Sequence, residues 1–126
     1  MTAFLIARLE AATGPSRELD ASIARHIGWE TLSDKIPDVE PGPFWKDPNG
    51  FTQAECPYYT ISIDAAWSIC EDAAFLFAAK MGGEFQVRLK SKTLFECKGI
   101  ATTLELSWCI AALKAREEAN SNNEKL

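Results

Sequence analysis

The sequence predicts an α+β fold in which helices pack on a small antiparallel sheet with a hairpin covered by those helices. Two observations carry that expectation. Residues 84–90, EFQVRLK, alternate polar and apolar side chains, which is the period of a half-buried strand. Three other stretches place apolar residues three and four apart, the spacing of one helix face. The chain has 126 residues with 47% hydrophobic content, so one domain can bury its core without disulfide or metal staples.

Taken in order, residues 3–13 read as a helix with Phe4, Leu5, Ile6 and Leu9 on its apolar side, broken by Gly14-Pro15. Ser16 is placed to cap a second helix, with Glu18 near its positive end. Leu19, Ile23 and Ile27 form the buried stripe of that helix and Gly28 ends it. Residues 29–32 suit a short strand. No periodic pattern runs from Ser33 to about Ile61, where five of the six prolines fall. This long loop is rich in aromatics, so it is expected to pack on the domain rather than to be disordered.

A long helix is expected over 62–81, capped by Ser62 and ended by Gly82-Gly83, with Ile63, Ala66, Trp67, Cys70, Ala74 and Phe77 as its stripe. Its second half is apolar all round, which implies burial on several sides. A hairpin over 84–98 follows. Thr102 and Glu105 have capping-box spacing and open a last helix through Leu106, Trp108 and Leu113. By periodicity Trp67 and Trp108 belong to the core. The polar end, residues 117–126, is expected to fray.

The longest apolar run, Ala73 to Ala79, is far short of the roughly 18 residues that a membrane span needs. The N-terminal apolar residues lack a preceding basic region, so they make a poor secretory signal. A net charge of −5 argues against general nucleic-acid binding. Cys56, Cys70, Cys97 and Cys109 include no CxxC pair and fit buried thiols of a cytosolic protein. His26 is the only histidine, and nothing local positions a cysteine beside it. No metal site, cofactor or catalytic residue is expected.

Four segments in a fixed order carry a resemblance. They are RELDASIARHIGWE (17–30), YYTISIDAAWSICE (58–71), EFQVRLK (84–90) and IATTLELSWCIAALKA (100–115). Together they resemble the phage ABA sandwich domain family, small proteins of tailed phages and prophages. The resemblance implies a layered α/β/α sandwich, a life in the cytoplasm of an infected bacterial host, and no catalytic residues to carry over. It divides the chain into an N-terminal helical extension (1–15), the sandwich domain (16–116) and a polar tail (117–126).

The loop 41–59, PGPFWKDPNGFTQAECPYY, holds more rings than a connection needs. A layered sandwich covers both sheet faces, so the polar, basic face of strand 84–90 becomes a cavity wall. Trp45, Phe51, Tyr58 and Tyr59 are therefore expected to flank a pocket floored by Arg88 and Lys90, with Lys92 nearby. Rings stack on bases and Arg pairs with phosphate. The expected function is that of a non-enzymatic phage accessory or counter-defence protein. It would sequester a small anionic host ligand such as a nucleotide signal. The alternative is an inhibitor that blocks a host protein through the aromatic loop. The apolar surplus around Phe75, Leu76 and Phe77 points to a homo-oligomer, with a dimer as the default.

Overall fold

The computed structural model describes residues 2–31 and 45–124, with side chains through Glu118. The class is α+β, as expected. Helix α1 (Thr2–Ala11) leads into α2 (Arg17–His26), where the Ser16 hydroxyl accepts from the Leu19 N–H at 3.2 Å. Gly28, at φ 111°, turns the chain out of α2 in a conformation that side chains resist. The strand expected at 29–32 is reduced to one bridge, Glu30 to Lys46, and Leu32 lies outside the described residues. So do Phe44 and most of the first half of the loop.

Strands β1 (Trp45–Lys46) and β2 (Thr52–Gln53) form a two-stranded ribbon. Asp47 organises its turn: one carboxylate oxygen accepts from the N–H groups of Asn49 and Phe51 at 3.0 and 2.9 Å. Helix α3 (Ile63–Trp67) is capped by Ser62 as expected and passes into a 3-10 turn, Ser68–Cys70.

The helix expected over 62–81 stops there. Residues 74–81 are instead a strand, β3 (Ala74–Met81), which pairs antiparallel with β4 (Glu84–Lys90) from Met81–Glu84 back to Ala74–Lys90. Gly82-Gly83 is the two-residue hairpin turn, with Gly82 at φ 67°, rather than a helix stop. A bulge between Phe75 and Phe77 breaks the alternation of β3, so no period of two is visible in its sequence. The Phe-Leu-Phe run favours a strand once β4 is available to pair with it, and that tertiary contact overrides the helical preference of the alanines.

Strand β5 (Glu96–Ala101) completes a sheet of order β3-β4-β5, three residues later than the sequence suggests. The β4–β5 turn is held by Ser91, whose hydroxyl accepts from the Phe95 N–H at 3.1 Å. Helix α4 (Leu104–Glu124) runs through most of the tail expected to fray. Its cap is Thr103, which accepts from the Leu106 N–H at 3.1 Å. Thr102 donates instead to the Ala12 carbonyl at 2.9 Å and ties the end of α1 to the sheet.

Helix α4 lies across β4 and β5. Val87, Leu89, Leu106, Ile110 and Leu113 bury completely between them. Gly99 lets the helix approach, because a side chain there would press on the Ser107 and Ala111 backbone. Helices α1 and α3 flank α4. Trp67 and Trp108 are only partly buried: they pack against the core with ring centroids 5.6 Å apart. The described helices therefore cover one face of the sheet. Among the described residues no second helical layer covers the opposite face, which carries Phe77, Met81, Arg88 and Glu96 exposed.

Candidate functional site

The loop rings are bound into the helical side of the molecule. Tyr59 is 1% exposed, and its carbonyl accepts from the Cys109 thiol at 3.1 Å. Trp45 packs against the core with the Arg25 guanidinium 5.1 Å from its ring centre. Tyr58 is stacked by Arg17 at 3.8 Å and donates to Glu55 at 2.6 Å. Arg17 in turn donates to the buried carboxylate of Asp20 at 2.8 Å and to the Cys56 carbonyl at 3.1 Å. Asp20 also accepts from the Thr60 N–H and hydroxyl at 2.7 and 2.8 Å. This network clips the loop to α2. Of the four rings, Phe51 is the most exposed.

Arg88 and Lys90 lie elsewhere. Side chains alternate across a strand, so with Val87 and Leu89 buried under α4, Arg88 and Lys90 stand on the other face of the sheet. There Arg88 pairs with Glu96 at 3.2 Å and sits 5.5 Å from the Phe77 ring centre. With its amide oxygen turned toward the guanidinium, Gln86 accepts from Arg88 at 2.7 and 3.0 Å. Lys92 is exposed in the β4–β5 turn. The expected pocket is thus not assembled: the rings belong to the helical side and the cations to the opposite face, with the sheet between them. Period-two reading placed the cations on one face correctly. It assumed that the loop crossed to that face, and the rings Trp45, Tyr58 and Tyr59 of its described part do not.

One cavity does combine rings with a cation. About 340 Å³ lies between the β1–β2 turn and α4, lined by Trp29, Tyr59, Asn49, Ser68 and Arg116, with Asp47 and Glu71 also on its wall. The sequence pointed to neither Trp29 nor Arg116, because they meet only in the fold. A larger cleft of about 600 Å³ separates α1 from β5 and the end of α4, lined by Ile6, Phe95, Cys97 and charges of both signs. Burial pushes the thiols of Cys56, Cys70, Cys97 and Cys109 up, and all four are buried and unbridged. Partial burial pushes the His26 imidazole down, with Arg116 adding to it. Among the described residues no cluster of three His, Cys, Asp or Glu could hold a metal. None of the described helices is long and apolar enough to cross a membrane.

The most distinctive surface is β3. Its backbone pairs with β4 on one side and has no ladder partner on the other among the described residues. Phe75, Leu76, Phe77 and Met81 are 50, 46, 42 and 58% exposed. Proteins usually blunt such an edge with charges, prolines or a covering helix. The opposite edge, β5, follows that rule, with Glu96 and Lys98 along it and α1 beside it. Strand β3 carries one charge, Lys80, at its far end. No family model, curated protein or solved structure was found to match the chain.

Proposed function

We propose that this chain is a binding protein that acts by stoichiometric contact, with the β3 edge as its working surface. A protein partner would add an extended strand to β3 and cover its exposed phenylalanines, the mode called β-augmentation. The observation that carries the reading is the pairing of an open strand edge with four exposed large apolar side chains. Phe75 lies on the α4 side, stacked on Trp108 with ring centres 5.4 Å apart, and Phe77 and Met81 stand on the other face, so exposed apolar side chains flank the edge on both sides. Absence of catalysis is part of the proposal, supported by thiols whose burial holds them protonated and unreactive. A small phage-type accessory or counter-defence protein in an infected cytoplasm, as the four-segment resemblance implies, would use such a surface to block a host protein.

A library of displayed extended peptides tests the reading. Wild-type protein should enrich alternating apolar peptides, and Leu76→Lys should abolish the enrichment while leaving the fold intact. Equal enrichment by both proteins would contradict it.

A second reading keeps the small anionic ligand and moves it to the cavity whose lining includes Trp29, Tyr59 and Arg116, the last donating to the Ile69 carbonyl at 3.4 Å. Calorimetric titration with a nucleotide panel tests it. Binding tighter than about millimolar, near −4 kcal/mol, that Arg116→Glu removes supports the cavity. No such binding discards it.

A further inference from the structure

We infer that the segment which β3 accepts is acidic: an extended strand whose apolar residues alternate with polar ones and which sets a carboxylate opposite Lys80. The inference rests on the edge-binding reading and names the chemistry of the partner.

The backbone of β3 decides where that partner bonds. Met81 and Glu84 close the two-residue turn, and such a closing pair exchanges both of its backbone hydrogen bonds. Ala79 and Gln86, two residues further from the turn, repeat that arrangement. The N–H and carbonyl groups of Ala78 and Lys80 therefore point away from β4, into the open edge. The bulge lies between Phe75 and Phe77, so residues 77–81 are the regular part of the edge. A strand added there bonds to Ala78 and Lys80. Its residue directly opposite Lys80 shares the same face of the sheet.

That face is the α4 side. Lys80 pairs with Phe85, which stands on the same face of β4 as the buried Val87 and Leu89. The Lys80 ammonium lies 5.7 Å from the Phe85 ring centre. Lys80 is exposed, and among the described residues it has no carboxylate partner. It is also the one charge on β3. An incoming strand thus meets a single cation, and an acid opposite it is favoured over a base.

The charge of the whole sheet points the same way. Residues 74–101 hold five cations, Lys80, Arg88, Lys90, Lys92 and Lys98, against Glu84 and Glu96, a surplus of three positive charges. The chain as a whole has a net charge of −5, so its acidic groups are concentrated outside the sheet. The sheet is the part of this acidic protein that attracts a carboxylate-bearing segment.

The opposite face supplies the apolar half of the pattern. Phe77 and Met81 are exposed there, with the small Ala79 between them. Partner residues opposite these three share that face, and large apolar side chains there cover both Phe77 and Met81. Apolar on this face and acidic on the other is an alternating strand.

The test is selection on the full chain, at low salt, of displayed seven-residue peptides in which Val, Ile or Phe alternates with randomised positions. Wild-type protein should enrich Asp or Glu over Lys or Arg at one randomised position by about fivefold. Lys80→Glu should reverse the preference at that position, and Lys80→Gln should abolish it. A reversal cannot arise from a damaged fold. If wild-type protein and Lys80→Glu enrich the same apolar peptides without a charge preference, the acidic-partner inference is wrong and the edge-binding reading stands. A preference of the wild type for basic peptides, or an acidic preference that survives Lys80→Glu, also overturns the inference. If no peptide is enriched at all, the edge-binding reading falls with it.

Discussion

Replacing Gly99 with alanine probes the contact on which the fold depends. Gly99 stands on β5 opposite Val87, where α4 crosses the sheet. An added Cβ would fall on the Ser107 carbonyl oxygen, 2.8 Å from the Ala111 nitrogen and 3.0 Å from the Ile110 Cβ. Helix backbone cannot rotate out of the way as a side-chain tip can, so α4 must lift by about 1 Å to reach normal contact distances. That lift loosens Leu106, Ile110 and Leu113 against Val87 and Leu89, all fully buried. Overpacking of a well-filled core costs about 1–3 kcal/mol, and the stiffness of the obstacle places Gly99→Ala in the upper half of that range. A domain of this length has roughly 6–19 kcal/mol in total. The expected loss of about 2–3 kcal/mol should lower Tm by roughly 6–15 °C and shift the urea midpoint without changing its slope. A variant within about 0.5 kcal/mol of the parent, the range of ordinary surface changes, would mean that α4 does not lie on β5 as described.

Asp20→Ala leaves the Thr60 N–H buried without its acceptor and should destabilise by roughly 2–4 kcal/mol in urea titration; a change below about 0.5 kcal/mol would show that α2 and the loop are not clipped there. A thiol reagent should label none of the four cysteines in native protein and all four after denaturation; rapid native labelling of any of them would contradict its burial. Burial raises the folded pKa of the Cys109 thiol and the Tyr59 phenol, so the folded state keeps protons that the unfolded chain releases. Their stabilising effect is full below the unfolded values, near pH 8.5 and 10, and stability should fall as pH rises past them, which denaturation at pH 8 and pH 10 will show. Leu94, exposed in the β4–β5 turn, is the one described non-glycine residue at positive φ, 71°. Leu94→Gly should therefore stabilise by up to about 1 kcal/mol in the same assay, and a loss would show that the turn needs the side chain.

Local rules located much of this fold in the sequence. Ser16 and Ser62 cap helices where serine before an apolar stripe predicts them, and EFQVRLK is a strand because one of its faces is buried. Residues 74–81 were illegible for a physical reason. An edge strand that is exposed on both faces has no buried side to impose a period of two, and the bulge at Leu76 shifts what alternation remains. The Gly82-Gly83 pair fits a helix stop or a hairpin turn equally well until β4 is known to pair back. The candidate site depended on that segment. Reading it as a buried helix hid the open edge, while the conspicuous rings of the loop drew attention to Tyr58 and Tyr59, whose contacts are with α2 and α4. Trp29 and Arg116 are far apart in the chain, so no spacing rule could join them.

Amide hydrogen exchange of residues 74–81, followed by NMR, tests the claim that β3 is an open strand edge awaiting a partner. In the protein alone the β3 amides that do not face β4 should exchange rapidly while those paired to β4 are protected. On adding a peptide that binds the edge, the fast set alone should become protected and exchange in the β1–β2 ribbon should stay unchanged. Protection that is uniform along 74–81 and independent of peptide would mean that the edge is already covered, and would contradict the assignment of β3 as the binding surface.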